Sequence, residues 1–459
     1  MRPFILRSTL VIACGFAASL AWSATDGPAD ETTHRISGGA VAPTGKTPAV
    51  PDFETLNFRA AAACATCHSA VVSRDGDGPD SSTSPVMVDQ WSASIMSYGS
   101  EDPFWQAKVT SEVLRAPLHR NLVDANCAAC QTLNTPVFDA QGRSVGSDCP
   151  EQMPFSEWQR SNFASLEEPT GCQQCHMAVE DEGRLAVKPT WLEDRGRASH
   201  AFVSANTEIL SLLAMETALQ GGDPSPLLAS VDAGRELLAR AGELHLLGVS
   251  LDQGTLEFEL LVDNSTGHKL PTAFPSRRVY LHTVVRDDSD EIVFESGAMM
   301  ANGRIIGVDS DQDLSTYEPH HQTITTPDQV QVYEAILGSI DNDVTYTLLR
   351  AGRYLKDNRI VPAGFDPATV PEDIRPTGGC MDDPDFGAGH DKITYRIDDL
   401  GGSRYTVAVE LRHQAIGYPY VMDLTEFSDD AVISRFLDLY AAVLPGSEVI
   451  AKLAFETGG

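Results

Sequence analysis

The sequence predicts an α+β protein in which a loop-rich, mostly helical first half precedes an antiparallel β-sandwich. Before about Glu243, apolar residues recur at helical spacing only in short stretches that loops separate. From about Glu243 onward, apolar and polar residues alternate in runs that end at short polar turns. Such alternation is typical of strands with one buried face, and an immunoglobulin-like sandwich is one arrangement that it allows.

The first half contains recognisable helix starts. Asp102 and Pro103 precede the stretch FWQAKVTSEVLR, and a helix should begin there because Asp caps helices and Pro suits their first turn. Two later stretches, SANTEILSLLAMETALQ and SPLLASVDAGRELLARAGEL, have the apolar spacing of amphipathic helices. We expect these two helices to close the first half.

Three strand pairs are expected in the second half. Their turns fall at residues 252–254, at residues 287–290 and around residues 401–402, where Gly and Asp are concentrated. The segment TYTLLRAGRYLKDNRIVPAGFD lies between the second and third pairs, and we expect it to be a long connection. Hairpins with short polar turns favour a sandwich.

The chain is strongly acidic. It contains 65 Asp and Glu against 33 Lys and Arg, which gives a formal net charge of −32. Such a surface repels nucleic acid and anionic lipid, and it suits protein partners that carry basic patches. The same charge also keeps a protein in solution, so it does not identify a partner by itself.

The N-terminus predicts export. Arg2 and Arg7 precede an apolar run from residue 10 to 22, and the small residues of AWS suit cleavage after Ser23. Cys14 within VIAC raises a lipoprotein signal as an alternative. No other stretch has enough uninterrupted apolar residues to span a membrane. We therefore expect a periplasmic or secreted protein.

Two complete Cys-x-x-Cys-His motifs lie in the first half, CATCH at 64–68 and CQQCH at 172–176. In this motif two thiols form thioether bonds to a haem, and the imidazole that follows binds the iron. A zinc site would need four ligands in paired sets, and a redox cysteine pair would precede a long helix. The expected attachment residues are Cys64, Cys67, Cys172 and Cys175, with His68 and His176 as proximal iron ligands.

An altered third motif reads CAACQ, with Gln131 in the place of the histidine. Three interpretations are open. In the first, Cys127 and Cys130 carry a haem whose iron lacks imidazole and can bind a small molecule. In the second, no haem is attached and the thiols form a disulfide with each other or with another cysteine. In the third, an attached haem takes His119 or another distant histidine as its ligand.

An even number of cysteines is left over for disulfides whether two or three haems are attached. Nine cysteines are present, and Cys14 leaves with the expected signal peptide. With three haems, Cys149 and Cys380 are left to form a disulfide, whereas two haems leave four cysteines and two bridges. An exported protein would keep few of them as free thiols.

Each low-spin haem needs a second axial ligand, and three residues of the first half are candidates. His119 in APLHRN and His200 in RASHAFVSAN lie within the haem region. Met96 ends the stretch WSASIM, at a position where many multihaem cytochromes carry a ligating histidine. A methionine sulfur would raise the reduction potential relative to a second imidazole. Each of these side chains also suits a structural role in a loop or core.

Several long strings resemble one family. WSASIMSYGSEDPFWQA, SHAFVSAN, NSTGHKLPTAFPSRRVYLH and DFGAGHDKITY occur in the order found in a group of exported multihaem cytochromes c. The resemblance extends through most of the chain and implies a haem-bearing N-terminal half and a β-rich C-terminal half. Members are mostly described as electron carriers or oxidoreductases. In these cytochromes the middle motif is Cys-x-x-Cys-His followed closely by a proline. The corresponding stretch here, CAACQTLNTP, retains the proline as Pro136 but has Gln131 in place of the histidine.

The resemblance also implies that the loop TGHKLPT lies near a haem face, with His268 as a sixth iron ligand. Arg277 and Arg278 follow this loop. At most one of them is expected to pair with a haem propionate, because strand alternation places the two side chains on opposite faces. His320 and His321 adjoin in another loop, but the sequence fixes no third ligand for a metal there.

We expect an exported c-type cytochrome that passes electrons between redox partner proteins, such as other cytochromes, through two or three covalent haem c groups. The expected segments are a signal peptide (1–23), a multihaem cytochrome c domain (24–242) and a β-sandwich domain (243–459). One alternative is an oxidoreductase that converts a small molecule at an open middle haem. Another is a module that binds cell envelope or polysaccharide, with accessory haems. No phosphate-binding loop or hydrolase motif is present, and the oligomeric state is not predicted.

Overall fold

The structure is a computed structural model that describes residues 87–120, 134–139, 141–165, 167, 169–183 and 195–457. Helices and mostly antiparallel sheets both contribute to these residues, so the α+β prediction is confirmed. The described residues belong to one compact unit. Within them, no helix combines the length and the apolar character that a membrane crossing requires. The expected signal peptide lies outside the described residues.

Short helices and loops make up most of the described first half. The helices are α1 (Met87–Ser92), α2 (Pro103–Arg115), α3 (Pro154–Gln159), α4 (Asn162–Ser165), α5 (Cys172–His176), α6 (Thr207–Leu219) and α7 (Ser225–Leu238). Helix α2 begins as expected, because the carboxylate of Asp102 accepts hydrogen bonds from the backbone N–H groups of Phe104 and Trp105. The two helices expected to close this half are α6 and α7.

Two small antiparallel pairs lie between these helices. They are β1 (Asn134–Phe138) with β2 (Ser144–Pro150), and β3 (Val179–Gly183) with β4 (Arg195–Ala198). The sequence does not predict these four strands, because they are short and their residues do not alternate clearly between apolar and polar.

Two sheets pack face to face in the second half. One has the spatial order β5 (Gly242–Asp252), β6 (Thr255–Asn264), β13 (His390–Ile397) and β9 (Thr323–Ile324). The other has the order β10 (Val332–Tyr333), β7 (Arg278–Asp287), β14 (Tyr405–Gln414) and β15 (Glu448–Thr457), with β8 (Ile292–Ser296) also paired to β7. Alternate residues of both sheets are buried between them, including Phe258, Tyr395, Val285 and Val407. This is the sandwich that the alternating sequence predicts.

Two of the three predicted hairpins are confirmed and the third is wrong. Strands β5 and β6 pair on either side of the turn at residues 253–254, and β7 pairs with β8 across residues 288–291. Strands β13 and β14 do not pair with each other: β13 pairs with β6, and β14 pairs with β7 and β15. The glycines at 401–402 therefore lie where the chain crosses between sheets. Alternation of apolar and polar residues predicts a strand, but it does not predict which other strand it pairs with.

The predicted long connection before β13 carries a further strand pair. Strand β11 (Ala335–Gly338) pairs antiparallel with β12 (Arg353–Asp357). Lys356 and Asp357, at the end of β12, are both buried. This pair therefore brings charged side chains into the interior beside the sandwich.

Two helices near the C-terminus connect the halves. They are α8 (Tyr418–Leu424) and α9 (Ala431–Val443), and Asp430 caps α9 by accepting from the backbone N–H groups of Val432 and Ile433. Phe104 of α2, Leu212 of α6 and Phe436 of α9 share one buried apolar core. The helical first half is thus fixed to the second half by side-chain packing.

Candidate functional site

The second complete cysteine motif forms the single turn of α5. Helical spacing places Cys172 and Cys175 one turn apart, and both thiols are exposed and unbridged. His176 is the last residue of this turn, and its Nδ1 donates a hydrogen bond to the carbonyl oxygen of Val203 at 2.6 Å. Because Nδ1 carries the proton, the lone pair of Nε2 is available to a metal.

His268 lies in the loop that follows β6 and has the same arrangement of nitrogens. Its Nδ1 donates to the carbonyl oxygen of Lys269 at 2.9 Å, which leaves the Nε2 lone pair available. The backbone carbonyl of His268 accepts from Asn264 Nδ2 and from Thr266 Oγ1, each at 2.8 Å. Burial lowers the pKa of the His268 imidazole, so the ring is neutral near pH 7.

The two imidazole rings lie close together with nearly parallel planes. Their centroids are 6.4 Å apart and their planes are inclined by 19°. Two imidazoles that bind one metal from opposite sides have centroids about 6 Å apart, since each metal–nitrogen bond is about 2 Å and each centroid lies about 1 Å beyond its nitrogen. The spacing of His176 and His268 therefore fits two axial ligands of one iron.

Trp158 connects the cysteine motif with the loop of His268. Its Nε1 donates to the carbonyl oxygen of Thr170, two residues before Cys172. A Cβ atom at Gly267 would lie 3.1 Å from Cδ1 of Trp158 and 3.4 Å from Phe163, so glycine permits this close packing. The indole thus holds the two histidine-bearing segments against one another.

A buried charge cluster fixes the residue that follows His268. Lys269 Nζ donates to Asp357 Oδ2 at 2.6 Å, and Arg359 makes two further hydrogen bonds of 2.7 Å to the same carboxylate. Asp357 faces both cations, and although burial opposes its ionisation, Arg359 and Lys269 lower its pKa below the usual range. Burial lowers the pKa of Lys269, and the neighbouring Asp357 opposes this shift. The ion pairs anchor the His268 loop to β12.

Glu157 of α3 holds the same loop from the other side. Its Oε2 accepts from the backbone N–H of Lys269 at 3.0 Å and from Thr272 Oγ1 at 2.6 Å. Its Oε1 lies 3.7 Å from Arg359 Nη1. The first half of the chain thus contributes a buried carboxylate to the network that positions His268.

The two arginines after this loop have different surroundings. Arg278 makes two hydrogen bonds to Asp311 at 2.6 and 2.7 Å, so of the two arginines only Arg277 is left as a candidate partner for a propionate, and that pairing stays a prediction. Arg277 donates to the carbonyl oxygen of Thr272 and to Asn206 Oδ1, and it forms no ion pair with a described carboxylate. Burial lowers the pKa of Arg277 to about 10, and the side chain remains a cation near pH 7.

The remaining predicted axial ligands are His200, His119 and Met96. The Nδ1 of His200 donates to the carbonyl oxygen of Ala198 at 3.1 Å, which leaves Nε2 available. The Nε2 of His119 donates to the carbonyl oxygen of Gly142 at 2.8 Å, so in this conformation Nδ1 is the nitrogen left for a metal. Met96 lies in a 3₁₀ turn and is 54% exposed, which makes a core-packing role wrong. Iron binding by these residues stays a prediction.

The described cysteines outside α5 are free. Cys149 is buried in a small apolar cluster with Val137 and Leu337, whereas Cys380 Sγ contacts the carbonyl oxygens of Asp357 and Thr377. Both are free thiols, so the disulfide considered from the sequence is not formed between them. The predicted sites at Cys64, Cys67, His68, Cys127, Cys130 and Gln131 lie outside the described residues.

A second cluster, which the sequence did not reveal, forms around His320. Its Nε2 lies 3.1 Å from Asp383 Oδ2 and 3.9 Å from Asp391 Oδ1, and all three side chains are buried. Burial lowers the pKa of His320 to about 3, so the ring is neutral. Both aspartates lie in the acidic stretch DDPDFGAGHD, which was the available sign of this cluster. They are more than sixty positions beyond His320, so the sequence did not show that the three side chains meet.

The chain resembles the crystal structure of a penta-heme cytochrome c552 from Thermochromatium tepidum, with 16% sequence identity and a TM-score of 0.37. The match covers 72% of this chain and 55% of that chain, so the chain spans about half the length of that protein. No protein-family model and no curated protein matches the sequence. The functional proposal therefore depends on the geometry of the residues themselves.

Proposed function

We propose that this protein is an exported multihaem c-type cytochrome that transfers electrons between redox partners. One haem is attached to Cys172 and Cys175, and its iron is bound by His176 and His268. The observation that carries this proposal is the close spacing of the two imidazoles, whose centroids are 6.4 Å apart. The exposed, unbridged thiols beside His176 supply the two attachment points.

When bound, a haem supplies one-electron chemistry between ferrous and ferric iron. The residues of the chain would attach the haem, supply two ligands to its iron and fix the orientation of those ligands. The carbonyl oxygens of Val203 and Lys269 fix the orientation of the two rings. With His176 and His268 as its two ligands, such an iron would offer a substrate no open position, which favours electron transfer over catalysis here.

A second haem is proposed at Cys64 and Cys67, with His68 as its proximal ligand. His200 and Met96 are the candidates for its distal ligand. His200 is supported by its Nε2, which the hydrogen bond from Nδ1 leaves available, and Met96 by its exposure. A third haem at Cys127 and Cys130 is the remaining hypothesis, and Gln131 determines how its iron would be ligated.

Redox partners with basic patches suit the net charge of −32, because opposite charges steer two proteins together. The expected signal peptide would deliver the chain to the periplasm or beyond, where haem c is attached. The partners are thus proposed to be other exported electron carriers.

The test is the intact mass of the mature full chain made in a host that attaches haem c. Each covalent haem adds about 616 Da, and we expect an increase of two or three haems. The variant Cys172→Ser/Cys175→Ser should lose one haem, whereas Cys149→Ser, which alters a buried free thiol, should lose none. A mature protein with the mass of the polypeptide alone would overturn the proposal.

A further inference from the structure

Arg277 connects the two segments that hold the proposed iron ligands. Its Nη1 donates to the carbonyl oxygen of Thr272 at 3.0 Å, and its Nη2 donates to Asn206 Oδ1 at 2.7 Å. Thr272 is four residues beyond His268, and the carbonyl group three residues before Asn206 accepts from His176. Besides burial, the charges of His176 and Arg277 lower the pKa of the His268 imidazole. The guanidinium therefore lies beside both ligand-bearing segments.

The Arg277 side chain is a largely buried cation with unused hydrogen-bond donors. A guanidinium has five N–H groups, and the bonds to Thr272 and Asn206 use two of them. Among the residues that the structure describes, no acceptor takes the other three and no carboxylate forms an ion pair with the side chain. A buried charge without a partner is destabilising, so this arrangement suits an anion.

Asp102 is the carboxylate whose charge acts on Arg277, but it forms no ion pair with it. Its Oδ1 accepts from the backbone N–H groups of Phe104 at 2.9 Å and Trp105 at 3.2 Å, as the cap of α2. Burial raises the pKa of Asp102 to about 6. Asp102 thus weakly compensates the charge of Arg277 and leaves its remaining N–H groups unused.

The chemistry of haem c indicates which anion to expect. Cys172 and Cys175 would bond to the two vinyl groups, and the two propionates of a haem lie on the opposite edge of the ring. Both thiols are exposed, whereas Arg277 is largely buried. The propionate edge would thus point away from the exposed thiols, and a carboxylate that enters the interior requires a cation and hydrogen-bond donors.

We propose that Arg277 binds a propionate of the haem that is attached to Cys172 and Cys175, through paired hydrogen bonds from its planar guanidinium. Such bidentate contacts suit arginine and a carboxylate, whereas a lysine would act only as a point charge. This inference rests on the proposed function, because the anion belongs to that haem. Arg277 would connect the propionate to Thr272 and Asn206.

The pairing makes the contribution of Arg277 to stability depend on the haem. In the haem-loaded chain, removal of the cation leaves a buried propionate without its partner, which is destabilising. In a chain without this haem, the cation itself is the uncompensated charge, so its removal has little effect or is stabilising.

The experiment measures thermal unfolding of Arg277→Gln in two backgrounds of the full chain made in a host that attaches haem c. One background is the wild type and the other is Cys172→Ser/Cys175→Ser. We expect Arg277→Gln to lower Tm by several degrees in the first and by less than about one degree in the second. In the matched control Arg115→Gln, the arginine is paired with two carboxylates of the protein, so its effect should be equal in both backgrounds.

Asp102→Asn tests the competing partner. Asparagine keeps the helix cap, so in this variant Arg277→Gln should still lower Tm more in the haem-loaded background than in the serine background. If Asp102→Asn removes the effect of Arg277→Gln, the partner of Arg277 is Asp102 and the proposal is overturned.

Resonance Raman spectroscopy of the haem-loaded chain gives a readout that does not require the serine variant to fold. The propionate bending band responds to hydrogen bonds at the carboxylate, so it should shift in Arg277→Gln and stay unchanged in Arg115→Gln. An unshifted band in Arg277→Gln, or an equal change in Tm in both backgrounds, would overturn the proposal. A wild-type mass without a haem at Cys172 and Cys175 would instead refute the proposed function, and this inference with it.

Discussion

Lys269 and Asp357 form a 2.6 Å ion pair that is closed to solvent, with side chains 0% and 1% exposed. Lys269 directly follows His268, and Asp357 ends β12, so the pair joins the proposed ligand loop to the body of the protein. A buried ion pair is destabilising to break, because the remaining charge is left without its partner. The position of His268 therefore depends on two residues that are not themselves proposed iron ligands.

Lys269→Met should lower the free energy of unfolding by about 3 kcal/mol, because Asp357 loses one of its two buried cations. Denaturant unfolding of the full chain measures this change. Lys452→Met is the matched control: that lysine is 68% exposed in its ion pair with Glu410 and should change stability by less than about 1 kcal/mol. Equal unfolding midpoints for the two variants would show that the buried pair does not anchor the loop.

Arg277→Gln should lower the reduction potential of one haem by on the order of 50 mV. Arg277 is a buried cation without an ion-paired carboxylate among the described residues, and its charge acts on His268. A nearby positive charge disfavours ferric iron, so its removal stabilises the oxidised state. Potentiometric titration of the absorbance spectrum measures the shift, and Arg277→Lys, which retains the charge, should restore most of it.

Glu208→Gln should remove part of the pH dependence of stability. Burial raises the pKa of Glu208 from 4.5 to about 8. Between these values the folded protein keeps the proton that the unfolded chain releases, so the free energy of unfolding falls as pH rises. The variant should match the wild type near pH 4 and exceed its stability by on the order of 3 kcal/mol at pH 8.

Unfolding at several pH values tests the Glu208 prediction. Glu236→Gln, an exposed change on α7, is the control and should follow the wild type at every pH. Parallel stability profiles for Glu208→Gln and the wild type would mean that the carboxyl group of Glu208 does not titrate between pH 4.5 and 8.

Local patterns predicted most of the elements, but not their partners. Asp102 and Pro103 marked the start of α2 because a cap and a fixed proline φ act within a few residues. The connection at residues 401–402, where the chain passes from one sheet to the other, could not be predicted from such local signals. Strands β13 and β14 alternate as hairpin strands do, and the choice of β6, β7 and β15 as partners depends on contacts with distant strands.

The two sites differ in how far the sequence revealed them. The cysteine motif and the TGHKLPT loop were recognisable, but nothing local indicated that the rings of His176 and His268, ninety-two positions apart, would lie 6.4 Å from each other. The partner of Arg278 was also hidden, because Asp311 lies in a single 3₁₀ turn that is too short to show periodicity. The buried cluster of His320, Asp383 and Asp391 was also hidden in the sequence, because acidic residues are common in this chain and only burial distinguishes these two.

The most direct test of the proposed function is electron paramagnetic resonance of the ferric full chain, compared between the wild type and His268→Ala. The account predicts that the variant loses the low-spin signal of one haem and gains a high-spin signal of equal intensity, which added imidazole reverses. His245→Ala, an exposed histidine, should leave the spectrum unchanged. An unaltered low-spin spectrum in His268→Ala would contradict the assignment of His268 as an iron ligand.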